Sequence, residues 1–247
     1  LREDELVAGN GLVNAGTNVA ILTGTLCGGL FIMSPLGRYY ISAGIVGVAA
    51  AGYIASRFIP VLPASSPELK IDRNLFRSTW QLITYPVPNR PVFMSIIGIS
   101  WFWFLGSVFL AQFPSFAKDI IGGDEQVSTL FLVVFTVGIG FGATFCNKLL
   151  GGRVSGKYVP ASLVAISGFI VMLYLVSPSQ ASGGALSGVG AFLSAGRSWL
   201  IILSMFLIAA SGGLYSIPMY AMMQNLTPET HMARTIASLN IIDSLGM

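Results

Sequence analysis

The side chains with reactive potential are few and scattered. The single histidine, His231, follows Thr227-Pro228-Glu229 at a helix start, with no second ligand at metal-binding spacing. Cys27 and Cys146 have neither a CxxC partner nor a neighbouring base, so both read as small, inert, buried side chains. The sequence has no phosphate-binding loop, GxSxG turn or HExxH helix. Catalysis is therefore not expected, and no metal or cofactor set can be assembled. What the chain offers instead is polar chemistry in apolar surroundings. Asn10, Asn14 and Asn18 recur every four residues, which places them near one helical face. An amide stripe is costly against lipid and must face protein or water. Tyr220 and Gln224 share the same spacing, and Pro218 just before them lacks a backbone donor and is a candidate hinge. Trp101 and Trp103 point to opposite faces, away from the interfacial level where membrane tryptophans concentrate, and Gln112 lies further along the same segment. Asp243 is the one acid inside an apolar run. These side chains are candidate walls of a substrate path. Interhelical hydrogen bonding is the alternative use of the same groups.

The elements that must position them are set by hydropathy. Charged residues make up 9% of the chain, against about 25% in soluble domains. Residues 6–37, 39–56, 91–117, 126–147, 158–196 and 198–228 carry no charge at all. About 20 apolar residues cross the hydrocarbon core as a helix, whereas barrel strands would alternate in polarity over about 10 residues. The stretches do not alternate. The fold class expected is all-α membrane protein, with helical spans at about 6–33, 38–59, 91–117, 126–148, 158–177 and 198–224 and part of a seventh from 232 onward. Leu1 is not an initiator methionine and the last apolar run has no stop at Met247, so the chain is expected to be cut at both ends.

Alternating the loops puts ten basic residues on one side and three, Arg38, Lys118 and Arg197, on the other. The positive-inside rule makes the ten-residue side cytoplasmic. The net charge of +3 thus reports topology, and no nucleic-acid partner is implied. The connection 60–90 is bracketed by prolines, and apolar residues at 75, 76, 80, 82 and 83 predict a short interfacial helix within it. The Gly/Ser-rich stretch from Ser177 to Arg197 predicts a mobile external loop. Gly24/Gly28, Gly138/Gly142 and Ala43/Gly47/Ala51 have the spacing of close helix contacts.

Two spans, a long basic connection, then four spans and part of a fifth resemble the major facilitator superfamily. In that layout the segment 1–59 is the end of an N-terminal helical half (helices 5 and 6). Residues 60–90 are the central cytoplasmic loop, and 91–247 are helices 7 to 10 and the start of 11. Cys146 to Lys157 then occupies the family's Gly/Arg-rich gating loop, with Lys148, Arg153 and Lys157 as its basic residues. The acid expected before Arg153 is Gly152, so the charge relay of that motif is not reproduced. A finer resemblance, to lysophospholipid transporters, is carried by several segments. They are Val7-Ala8-Gly9-Asn10-Gly11-Leu12-Val13-Asn14, Ile99-Ser100-Trp101-Phe102-Trp103-Phe104-Leu105-Gly106, Gln112-Phe113-Pro114 and Ile217-Pro218-Met219-Tyr220-Ala221-Met222-Met223-Gln224. It is closest to versions fused to a glycerophospholipid acyltransferase and an acyl-carrier-protein synthetase. The resemblance implies inward flipping of lysophospholipid, chiefly the ethanolamine form, across the bacterial inner membrane for reacylation, by alternating access. Its partners are membrane lipid, the lysophospholipid itself and a fused or associated acyltransferase. The residues alone also admit a transporter of a soluble solute or drug, or a membrane platform for a fused acyltransferase.

Overall fold

The computed structural model describes alternate stretches between residues 9 and 31, and residues 34–58, 74–151, 153–178 and 186–246. Among these, five helices are long and apolar enough to cross a membrane. The chain divides into two compact units, residues 19–71 and the remainder.

In the smaller unit, α1 runs over Gly37–Ser56. Only Gly37 is buried within the unit. A helix apolar all round and covered by nothing needs an apolar medium or other helices about it. Gly24, Gly28, Gly44 and Gly47 meet no atom within 4 Å of a modest added side chain, so these stripes of small residues have no partner among the described residues.

The larger unit is a bundle. Its elements are α2 (Leu75–Thr84), α3 (Arg90–Ser115, continued by a π-helical turn Phe116–Ile121), α4 (Glu125–Leu150) and α5 (Val159–Val176). They are followed by α6 (Val189–Ser194), α7 (Gly196–Asn225) and α8 (Met232–Gly246). Each span from residue 91 onward falls within a few residues of its expected place. The ends have local causes. Asn74 caps α2 by accepting from the Arg77 amide at 3.1 Å. Asp124 opens α4 by accepting from the amides of Gln126 and Val127 at 3.0 and 3.2 Å. Gly151, at φ 57°, closes α4 in the left-handed region that favours glycine.

Helix α7 is the hub, packed against α3, α4 and α5. Its contact with α4 is made by glycines. A side chain on Gly142 would run into the backbone of Ala210, and one on Gly213 would come within 2.5 Å of the Ile139 carbonyl. Gly138 lies against Ala209 and the Phe206 carbonyl in the same seam. Of the three small-residue stripes in the sequence, this one has its partner in view.

Two core clusters flank the seam. On the external side, by the charge-derived orientation, Phe113, Phe131, Phe135 and Phe192 interlock with ring centroids 5.4 to 6.3 Å apart. Toward the cytoplasm, Ile96 and Ile99 of α3 pack with Ile166, Tyr215, Met219, Met223 and Leu239.

Two expectations change in detail. The end of the Ser177–Arg197 stretch is built rather than loose. Ser187 pairs with Gly122 and Asp124 through backbone hydrogen bonds of 2.8 and 3.0 Å, and α6 buries Phe192 against Phe131. One large aromatic supplies an anchor that Gly/Ser composition conceals. The apolar face of α2 also splits: Leu82 and Ile83 turn to the bundle, where the Leu82 carbonyl accepts from the Ser238 hydroxyl, while Phe76 and Trp80 are 91% and 68% exposed. Such an outward aromatic pair suits a helix lying at a membrane surface.

Candidate functional site

Three helices bring polar side chains together beside the cytoplasmic-side core. On α3, Ser100 and Trp103 are three residues apart and share a face. Ser100 lies ten residues beyond Arg90, about 15 Å along a helix axis and so near the middle of a core about 30 Å thick. The Ser100 hydroxyl donates to Asp243 Oδ1 at 2.5 Å, joining α3 to α8. The Trp103 indole donates to the Tyr220 hydroxyl at 2.6 Å, joining α3 to α7. Trp103, Tyr220 and Ile242 all pack on the same cluster that holds Ile99, Met219 and Leu239. One turn below, the Tyr215 hydroxyl donates to the Gly98 carbonyl at 3.0 Å, and a side chain on Gly98 would collide with Tyr215 and Met219. Glycine at that position lets α3 and α7 approach closely enough for both aromatic bonds.

Trp103, Tyr220 and Asp243 are half-buried, so each still presents surface to the outside of the described bundle. Energetics make Asp243 the notable member. A carboxylate at a membrane helix centre costs roughly 2.5–3.5 kcal/mol on insertion scales. One hydrogen bond to a charged group returns about 1.5–3 kcal/mol. Ser100 therefore offsets much of the cost at Oδ1, and the second carboxylate oxygen still requires a donor.

The candidates named from sequence divide into three groups. Trp103 bonds Tyr220, Asp243 is held by Ser100 one turn away on α3, and Gln224 sits one turn from Tyr220 on the same side of α7. Trp101 and Gln112 do not join them. Trp101 is half exposed and packs on Phe104 at 5.6 Å, and Gln112 is exposed nine residues beyond Trp103. Nine residues at 3.6 per turn is two and a half turns, which reverses the face. Asn10, Asn14 and Asn18 lie outside the described residues. Ser100, which holds Asp243, escaped notice because the partners are 143 residues apart and a serine in a span carries no signal of its own.

Pro218 is fully buried within α7. Lacking an N–H, it leaves the Leu214 carbonyl without its helical donor. The Cys146 thiol of α4 donates to that carbonyl at 3.9 Å. The cysteine expected to be inert thus has a structural partner, across the glycine seam. The basic loop residues Lys148, Arg153 and Lys157 are all exposed, at and beyond the end of α4, with the Lys157 ammonium 5.7 Å from the Tyr158 ring.

A groove of about 740 Å³ opens elsewhere, at the external ends of α3, α5 and α7, lined by Phe116, Ile170, Leu173, Tyr174 and Arg197. Arg197 is committed there to closing α5, donating from Nε to the Val176 carbonyl at 2.5 Å and from Nη2 to the Ser177 carbonyl at 3.0 Å. None of the candidate path residues lines this groove. His231 packs on Tyr85 with centroids 5.6 Å apart, at the cytoplasmic mouth of α7 and α8.

The profile of the Major Facilitator Superfamily matches residues 1–247. The chain is 28% identical over 251 residues to the lysophospholipid transporter LplT of Photorhabdus laumondii, covering 99% of this chain and 56% of that protein. It is 25% identical over 226 residues to the protein of the same name in Citrobacter koseri (90% and 50%), and 24% identical over 225 residues to that of Escherichia coli O157:H7 (89% and 50%). The chain spans about half the length of these curated relatives. No solved structure matches it.

Proposed function

Because the chain belongs to the major facilitator superfamily, we propose that it forms part of a transporter that carries lysophospholipid, of the phosphatidylethanolamine type, across a bacterial inner membrane. The chain is a multi-pass membrane protein. Movement runs from the outer to the inner leaflet, by alternating access of two helical halves about a midplane site, and delivers the lipid for reacylation. The acyl transfer belongs to a fused or associated acyltransferase. Residues 1–59 end the first half, 60–90 form the central cytoplasmic loop and 91–247 build most of the second half.

The observation that carries this reading is the polar cluster Ser100–Asp243 and Trp103–Tyr220, set among mostly apolar helices. A lysophospholipid needs a path of that kind: apolar walls for one acyl chain and a few polar groups for the head. Trp103, Tyr220, Gln224 and Asp243 supply the head-group side on α3, α7 and α8. Asn10, Asn14 and Asn18, with Trp101 and Gln112, are assigned to the parts of the path contributed by other faces. Lys148, Arg153 and Lys157 form the cytoplasmic gate, and Pro218 the hinge of α7. The relatives' shared name supports the lipid over a soluble solute.

The test uses the full-length protein in vesicles carrying labelled lysophosphatidylethanolamine in the outer leaflet. Label withdrawn from the accessible leaflet at the rate of protein-free vesicles overturns the proposal. Tyr220→Phe removes the acceptor of the Trp103 indole, and Gln224→Ala shortens the head-group wall. Both are expected to lower transport more than they lower the amount of folded protein. Equal loss of both quantities would return these residues to packing.

A further inference from the structure

We infer that Asp243, beside the bonded aromatic pair Trp103 and Tyr220, is the subsite for the ammonium group of the transported lipid. The inference rests on the transport reading above and adds a residue-level basis for choosing one head group over another.

Three observations converge on a cation. Asp243 stands eleven residues into α8, and among the described residues only its Oδ1 has a hydrogen-bond partner, the Ser100 hydroxyl at 2.5 Å. Among the described residues no lysine, arginine or histidine forms an ion pair with it. Its carboxylate is half-buried rather than sealed, so a partner can reach it. A second oxygen in apolar surroundings, without a protein cation, is matched by a cation that arrives with the substrate.

The neighbours define what kind of cation fits. Tyr220 is fixed by the Trp103 indole at 2.6 Å, and Trp103 lies one turn from Ser100, the residue that holds Asp243. The Tyr220 hydroxyl accepts the indole bond, so the oxygen is turned toward α3. Two aromatic side chains beside a carboxylate form a site for an organic ammonium, which gains from ring faces as well as from charge. A metal ion would prefer several oxygen ligands, and here one carboxylate, one hydroxyl and one phenol are assembled from three helices. The buried apolar cluster of Ile99, Met219 and Leu239 backs Trp103 and Tyr220 and holds the pair in place.

The experiment compares two lipids in the full-length protein. One is lysophosphatidylethanolamine, and the other is its N-acetyl derivative, which keeps the phosphate and acyl chain but has no ammonium. Wild-type protein is expected to move the ammonium lipid about tenfold faster or more in direct competition, the ratio expected from one charge-assisted hydrogen bond. Asp243→Asn should bring that ratio close to one, and Asp243→Glu should keep most of it. Four results would overturn the inference. No movement of either lipid removes the transport reading and this with it. Equal movement of both by the wild type removes this inference alone. A preference retained in Asp243→Asn places the ammonium elsewhere. Equal loss of both lipids in Asp243→Asn and Asp243→Glu, or a sodium requirement common to both lipids and lost with the carboxylate, makes Asp243 a packing or ion-coupling residue instead.

Discussion

Replacing Gly142 by alanine probes the seam on which the polar cluster depends. An added methyl at Gly142 would overlap the carbonyl, carbon and Cα of Ala210. These are backbone atoms of a buried helix, so no rotamer change relieves the clash. The seam is closed from the other side as well, since Gly213 lies against the Ile139 carbonyl at 2.5 Å and the Ala143 amide at 2.8 Å. Helices α4 and α7 must therefore separate locally. Overpacking of this kind costs about 1–3 kcal/mol. At about 2–4 °C per kcal/mol for a chain of this size, the melting temperature should fall by about 2–12 °C. Gly140→Ala is the matched control, because a side chain there meets no atom within 4 Å. It exchanges a poor helix former for a good one and should hold or raise stability by up to about 1 kcal/mol. Thermal unfolding of the full-length protein in one detergent, followed by loss of the monodisperse size-exclusion peak, reads both variants. Equal melting temperatures for Gly142→Ala and Gly140→Ala would refute the close approach of α4 and α7, and with it the positioning of Leu214 over Cys146.

Further outcomes follow from the same packing. Phe192→Ala should cost about 3–5 kcal/mol, since the ring is 6% exposed and packs edge-on against Phe131; a melting temperature within 1 °C of wild type would show that α6 is not anchored. Pro218→Ala restores the amide that Leu214 lacks, so thermal stability should stay within about 1 kcal/mol of wild type while lipid transport falls several-fold. Unchanged transport in that variant would remove Pro218 as a hinge.

Sequence and structure agree best where a single physical constraint dominates. Long charge-free stretches admit few solutions in a membrane, and the spans from residue 91 onward could be placed from them within a few residues. The start of α4 falls one residue from its expected place, where Asp124 caps it, and that of α7 two residues from its own, at Gly196 without a side-chain cap. The site was legible only in part. Tyr220 and Gln224 announce a shared face by spacing, and Trp103 and Asp243 stand out by type. The bonds that join them span 117 and 143 residues, and no local pattern reports such a distance. Gln112 stands out by polarity in the same way, but its angular position sets it on a different face from Trp103. The α6 segment misled: glycine and serine set its average, yet Phe192 sets its position.

The thiol over Leu214 has a consequence for motion. A hydroxyl in its place would hold the carbonyl through a short, directional bond and would fix the helix around Pro218 in one geometry. Sulfur is large and polarisable, and it tolerates both a long separation and a poor angle. At 3.9 Å the carbonyl is satisfied weakly and over a range of positions. A change of a few degrees in the helix at Pro218 would then exchange one loose contact for another of nearly equal energy. Pro218 lies two residues from Tyr220, which carries one of the two interhelical bonds of the cluster. If α7 pivots at Pro218 as proposed, Cys146 is a soft bearing, leaving that end of the helix free to turn while the glycine seam above it stays shut.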